Sequence, residues 1–178
     1  MLVITNIINY NFNILSIISN FYRRFIMNNI KYIKGNEDYL DLIRPLWEKL
    51  NKHHKKNSIH FKHKFFKFNF TIRIEKLKEK IKNGDLKVTI AKDINKNIIV
   101  GYSISSLSKD IGEIESIYVE PEYRGNNIGD YFMKSSIEWF EKSKVRHIQI
   151  GVITGNEEVF SFYERYGFYP KVTILSKK

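Results

Sequence analysis

A three-layer α+β domain built on a mostly antiparallel central sheet is the fold class that the sequence predicts. Three observations carry that prediction. Residues 86–92, 97–106 and 111–119 are rich in Val and Ile and are separated only by the polar turns DINKN and SLSKD, so they read as an antiparallel meander. Segments with helical apolar spacing stand before and after the meander. No internal repeat or long linker divides the chain, and 178 residues with 43% hydrophobic and 15% aromatic content fill one core, with two full domains too cramped.

In chain order, Ile30 to Ile33 alternate apolar and polar residues, which predicts a short first strand closed by Gly35 and Asn36. Leu40, Ile43, Leu46, Trp47 and Leu50 then fall on one helical face, with Asn36 as the N-cap and Pro45 as a distortion within the helix. Residues 51–64, NKHHKKNSIHFKHK, read as a basic loop. A second helix over 69–82 places Phe70, Ile74, Leu77 and Ile81 together and stops at Asn83-Gly84. After the meander come a helix over 128–142, with Ile128, Phe132, Ile137 and Phe140 toward the core, and a strand over 146–153. A helix over 156–166 stops at Gly167, and a last strand is expected over 168–176.

Composition removes several chemistries. The chain has no Cys, which excludes a disulfide framework, thiolate-ligated metal sites and a cysteine nucleophile. The net charge of +11 raises the question of a nucleic-acid partner. Heavy use of Ile, Asn, Lys, Tyr and Phe throughout, as in AT-rich genomes, accounts for much of the excess Lys as solvated surface, and no nucleic-acid motif is present, so that partner is not expected. His53, His54, His60 and His63 lack the fixed spacing and carboxylate help of a metal site, and no metal is expected. They lie instead on a solvated loop or one that contacts a substrate.

Residues 1–26 are apolar but interrupted by Asn6, Asn9, Asn11, Asn13 and Asn20, which breaks any run long enough to span a membrane. Arg23 and Arg24 follow the apolar part, the reverse of a secretory leader. The expectation is an N-terminal extension over 1–26, a folded domain over 27–178 beginning at Met27, and a cytoplasmic protein with no stable membrane insertion.

The stretch that carries chemistry runs from Glu113 to Phe168. It begins EIESIYVEPEYRGNNIG: a strand, a break at Pro121, the turn Arg124-Gly125-Asn126-Asn127-Ile128-Gly129, and a helix. Such a turn aims unpaired backbone N–H groups and the positive end of a helix dipole at one point, a geometry that holds phosphate. Gly lets backbone approach phosphate oxygens, and Arg124 adds a charge-assisted contact. The segment resembles the acetyl-CoA-binding segment of the GCN5-related N-acetyltransferases, whose pattern is Arg or Gln, two residues, Gly, one residue, then Gly or Ala. Asn127 departs from that pattern, standing where the first Gly falls, and Asn is among the residues that best tolerate left-handed backbone. A second resemblance lies downstream in Asn156, Val159 and Phe162-Tyr163-Glu164-Arg165-Tyr166-Gly167-Phe168.

The resemblance implies a mixed sheet with helices on both faces, splayed between its fourth and fifth strands, and acetyl-CoA as co-substrate. It implies cofactor contacts from Ile117, Val119, Arg124, Gly125, Asn126, Asn127, Ile128, Gly129, Asp130, Asn156 and Tyr163. By the same resemblance the Val119 amide polarises a thioester carbonyl, Asn156 meets the pantetheine arm, and Tyr163, with Tyr166 as the alternative, protonates the departing thiolate. Glu115 and Glu113 are the candidate bases, with the lean toward Glu115. Period-2 alternation puts both on one face along with Ile117 and Val119, where two carboxylates would raise each other's pKa. The implied activity is direct acetyl transfer to a primary amine of a small molecule or peptide; the oligomeric state is left open, with a homodimer compatible. The competing reading is a CoA-binding or interaction module of the same fold without catalysis.

Overall fold

A computed structural model describes residues 26, 29–67 and 69–177. Residues 1–25 of the extension expected over 1–26, and Met27, lie outside the described residues. Ile26 is buried against Ala91, Val100, Tyr123, Ile128 and Phe132.

The sheet has five strands in sequence order: β1 (Ile30–Gly35), β2 (Gly84–Asp93), β3 (Ile98–Ser108), β4 (Ile111–Val119) and β5 (His147–Ile150). The first three pairings are antiparallel and β4–β5 is parallel. Helices α1 (Leu40–Asn57), α2 (Lys62–Lys67) and α3 (Phe70–Lys80) precede β2. Helix α4 (Ile128–Lys142) joins β4 to β5, and the short α5 (Phe160–Glu164) follows β5. One face of the sheet carries α1 and α3, whose Leu40, Ile43, Trp47, Phe70 and Leu77 pack on Val88, Ile90, Tyr102 and Tyr118. The other carries α4, whose Ile128, Phe132, Met133 and Phe140 pack on Ala91, Val100 and Ile114. Because β2 and β3 are covered on both sides, their burial is nearly continuous, and it takes in the small polar Thr89, Ser103, Ser105 and Ser106. Among the described residues no helix is long and apolar enough to cross a membrane.

Four expectations require correction. The basic loop over 51–64 is mostly helical: α1 runs through Pro45 to Asn57, Ser58 N–H bonds the His54 carbonyl at 2.9 Å, and α2 begins at Lys62. The apolar stripe stops at Leu50 because His53 and His54 take over its face and line a cleft rather than a core, with Asn57 bonded to His53 behind them. The last strand over 168–176 does not form. Residues 168–177 have no regular structure, and Val172, Ile174 and Leu175 are exposed, since alternation supplies strand-forming residues but no ladder partner. The helix over 156–166 is a 3-10 turn (Glu157–Val159) followed by α5, ended by the Gly167 backbone at φ 80°.

The fourth concerns β4. Ile104 pairs with Ser116 but Ser105 pairs with Ile114, so Glu115 is the extra residue of a β-bulge. The bulge shifts the alternation by one. Glu113 and Glu115 do share the α3 face, where both meet Lys80, whereas Ile117 and Val119 point to the α4 face.

Candidate functional site

The β4–β5 ladder covers only Ile111–Ile114 against His147–Ile150. Beyond it β4 continues to Val119 while the chain leaves β5 at Gly151, and the two part around a cleft of about 540 Å³. Ser116–Val119 and Ile150–Ile153 form its two sides, the turn Arg124–Asp130 borders it, Phe162 and Tyr163 come from α5, and Leu50, His53 and His54 from α1. Glu120 N–H bonds the Val100 carbonyl at 2.9 Å. Alternation along the strand therefore turns the Val119 N–H away from β3 and toward the cleft, and the Ile117 N–H with it. The Val119 carbonyl accepts from Arg124 Nε at 3.0 Å.

The turn before α4 is fixed from below. Tyr123 Oη donates to Asp93 Oδ2 at 2.7 Å, and Asp93 Oδ1 also accepts from the Asn95 and Lys96 amides at 3.0 and 3.1 Å, tying the turn to the end of β2. The sequence reading missed Asp93 and Tyr123. Asn126, expected at the cofactor, is buried, and its Nδ2 donates to the carbonyls of Tyr123 and Arg124, so its side chain builds the turn and does not line the cleft. Asn127 takes the left-handed conformation, φ 58° and ψ 12°, and caps α4 without a side-chain cap bond. Gly125 is also left-handed at φ 76°, and a Cβ there would meet nothing within 4 Å. The first helical N–H groups, those of Ile128, Gly129 and Asp130, lack intrahelical acceptors at the cleft edge. The Asp130 carboxylate is already matched, by Tyr166 Oη at 2.5 Å and by Arg165 at 3.1 Å. The open space, the N–H cluster and the neutralised carboxylate fit a phosphate-bearing ligand.

The left-handed cost at Asn127 gives a direct test. Asn127→Ala should destabilise the fold by about 1 kcal/mol and Asn127→Gly should not, measured by urea unfolding.

Tyr163 lines the cleft and packs edge-on against Phe162, with ring centroids 5.3 Å apart. Burial pushes its phenol up to about 12, so it holds its proton at neutral pH. Asn156 Oδ1 lies 3.1 Å from His53 Nε2, which is also 3.0 Å from Asn57 Nδ2. The His53 tautomer carrying its proton on Nε2 donates to Asn156, and the other accepts from Asn57. His54 is pushed down to about 4 by burial and then by His53, and its buried Nδ1 has no hydrogen-bond partner among the described residues.

Glu115 contrasts with the sequence expectation. Burial raises its proton affinity, but Arg73 at 2.8 Å, Lys80 at 2.5 Å and the Ser106 hydroxyl at 2.7 Å together hold the carboxyl below its ordinary 4.5. Glu113 shares Lys80 at 2.7 Å and accepts from Gln149 at 2.7 Å. The cation between the two carboxylates replaces the expected mutual repulsion with attraction. With the Glu115 side chain only 4% exposed, Glu115→Gln strands Arg73, leaves Lys80 to Glu113 alone, and should cost on the order of 3 kcal/mol in urea unfolding at neutral pH. A depressed carboxyl stabilises the fold above its unfolded pKa and loses that contribution as pH falls through the folded value. The gap between wild type and Glu115→Gln should therefore close below about pH 4.

The acetyltransferase (GNAT) family model matches residues 47–168. The chain belongs to the GNAT family. Over 72 residues it is 33% identical to an uncharacterized N-acetyltransferase of Methanocaldococcus jannaschii and 26% identical to a putative [ribosomal protein bS18]-alanine N-acetyltransferase of Bacillus subtilis. Those stretches cover 40% of this chain and 32% and 48% of the two relatives, so the chain spans less than half the length of either. A mutant of a Bacillus halodurans protein superposes with a TM-score of 0.64 at 16% identity, over 83% of this chain and 98% of that one. An aminoglycoside acetyltransferase from an uncultured soil metagenomic sample, in complex with sisomicin, gives 0.59 at 17% identity, over 86% and 98%. The aminoglycoside N-acetyltransferase AAC(6')-Iy, in complex with CoA, gives 0.59 at 14% identity, over 84% and 93%. These likenesses establish the GNAT fold.

Proposed function

We propose that this GNAT protein transfers an acetyl group from acetyl-CoA to a primary amine of a small molecule or peptide, by direct attack within a ternary complex. The observation that carries the reading is the convergence, on one cleft, of the outward Val119 N–H, the left-handed turn at the start of α4, and the Tyr163 phenol. Bound there, acetyl-CoA supplies an acetyl carbon activated as a thioester. The N–H groups of Gly125, Asn127, Ile128 and Gly129, with Arg124, hold its phosphates, and Asp130 keeps its charge committed to Arg165 and Tyr166. Ile117 and Val119 present backbone N–H groups along the cleft, the latter to the carbonyl oxygen where negative charge develops. Asn156, braced by His53, orients the chain of the ligand. As the C–S bond breaks, Tyr163 gives its proton to the departing sulfur, and the proton that the amine nitrogen sheds on becoming an amide returns to the Tyr163 oxygen.

The ammonium proton of the acceptor leaves through water. Glu115, which borders the cleft, and Glu113 behind it serve that route as relays, because the cations around Glu115 keep its proton affinity low. The pH dependence follows: kcat/KM should rise with pH as the acceptor amine itself deprotonates, with no carboxylate limb near neutrality, since only the neutral amine attacks. The test of the activity is release of CoA thiol on addition of amines. Amine-dependent thiol release with matching acetylated product supports the reading, and saturable CoA binding with no product from any primary amine overturns it.

A further inference from the structure

An acceptor amine arrives as an ammonium and attacks only when neutral, so some group must hold the proton it gives up. The side chains lining the cleft divide by whether they can. Glu115 and Asp130 are ion-paired, and the cations beside Glu115 keep its proton affinity low. Tyr118 and Tyr163 are pushed up to about 12 and already carry their protons. The Tyr123 hydroxyl is spent on Asp93. Glu158 is exposed, and a solvated carboxylate holds a proton too weakly. His54 is pushed down to about 4, and its Nδ1 is sealed from solvent. What is left is His53, an imidazole, the side-chain type suited to proton exchange near neutrality.

The surroundings of His53 engage one ring nitrogen and leave the other open. Nε2 lies 3.1 Å from Asn156 Oδ1 and 3.0 Å from Asn57 Nδ2. A proton on Nε2 makes the first contact a hydrogen bond, and turning the Asn57 amide over offers its oxygen as a second acceptor. Nδ1 then carries a lone pair, has no hydrogen bond among the described residues, and is open to solvent. The bridge is held from outside the ring as well. Gly155, at φ 93°, packs so closely on Asn57 that a Cβ would collide with the Asn57 carbonyl oxygen, so α1 and the loop carrying Asn156 brace each other. An imidazole whose far nitrogen is oriented by a second group is the arrangement of a general base.

We infer that His53 is a catalytic residue whose Nδ1 takes one proton from the acceptor ammonium, directly or through one water, before the amine attacks. The inference rests on the acetyltransferase reading. The neutral nitrogen then bonds to the acetyl carbon, the C–S bond breaks, and Tyr163 carries the remaining exchange between nitrogen and sulfur. The imidazolium keeps its Nε2 bond to Asn156, so taking the proton requires no rearrangement, and the proton passes to solvent after turnover. Glu115 and Glu113 relay along the water route, and His53 is where the proton rests.

The test uses the full chain with acetyl-CoA and an alanyl peptide, kanamycin or spermidine as the amine, read by thiol release. With the fastest of these, His53→Gln, which keeps an N–H for Asn156 but has no basic nitrogen, should lower kcat by about 10²-fold while CoA affinity stays within a few-fold of wild type. The deficit should shrink as pH approaches the pKa of the amine, because solution then supplies neutral amine without a base. Added imidazole should speed His53→Ala several-fold. In the CoA-loaded protein carrying nitrogen-15 histidine, the ring signals absent from His53→Gln should report a neutral His53 protonated at Nε2. A kcat in His53→Gln within a few-fold of wild type would overturn the inference. So would a loss that neither alkaline pH nor imidazole relieves, or a neutral ring protonated at Nδ1. Thiol release by the wild type reads the underlying assignment separately: release that is indifferent to His53 removes this inference alone, and no release with any of these amines removes both.

Discussion

Tyr163→Phe is expected to lower kcat by about 10²- to 10³-fold while acetyl-CoA affinity and stability stay where they are. The ring remains, so its packing with Phe162 and the cluster beneath α4 is preserved, and only the hydroxyl is lost. That hydroxyl is the donor at the cleft with its proton still held at neutral pH and, among the described residues, no hydrogen bond that would divert it. Tyr166 is a poorer donor. Its hydroxyl is committed to Asp130 at 2.5 Å, so Tyr166→Phe should loosen the contact between α5 and α4 more than it slows the chemistry. Steady-state kinetics beside calorimetric CoA titration separates the two roles. An unchanged kcat in Tyr163→Phe would mean that another group protonates the thiolate.

Gly129→Glu should weaken acetyl-CoA binding by about 100-fold or more. Two effects act together. A Cβ at Gly129 would sit 3.2 Å from Phe162 Cζ, so the ring beside Tyr163 must give way, and the new carboxylate faces the phosphates at the start of α4. A carboxylate in the first helical turn is itself favourable to the helix by about 0.3–1 kcal/mol, so the fold should not weaken in proportion. Loss of affinity with a nearly unchanged melting temperature is therefore the signature of a ligand site. Gly129→Ala, which keeps the contact with Phe162 but adds no charge, should cost only a few-fold.

Much of this was legible in the sequence. Helix α4 and strand β4 stand at the residues expected, because each has a clean period and a marked boundary: Pro121 after β4, and the Arg124–Gly129 turn that leads into α4. Asn127, which stands where the family pattern has Gly and is of a type that tolerates left-handed backbone, does take that conformation. What sequence could not supply was partnership. Glu113 and Glu115 read as two repelling carboxylates because Arg73 and Lys80, which face them across the layer, are far away in the chain. The bulge at Glu115 shifts the facing of Ile117 and Val119 and leaves no mark in an alternating run. Residues 51–57 failed as a helix signal because their inner face meets a cleft, and 168–176 failed as a strand because a pattern does not guarantee a neighbour. Asp93, which clamps Tyr123 and through it the turn, is visible only in three dimensions.

The central claim is that the parting of β4 and β5 holds acetyl-CoA, and calorimetric titration of the full chain with acetyl-CoA, alongside Gly129→Glu, tests it most directly. The structure predicts one saturable site with a dissociation constant on the order of micromolar in wild type, lost in the variant. No binding by the wild type, or equal binding by both proteins, would contradict it.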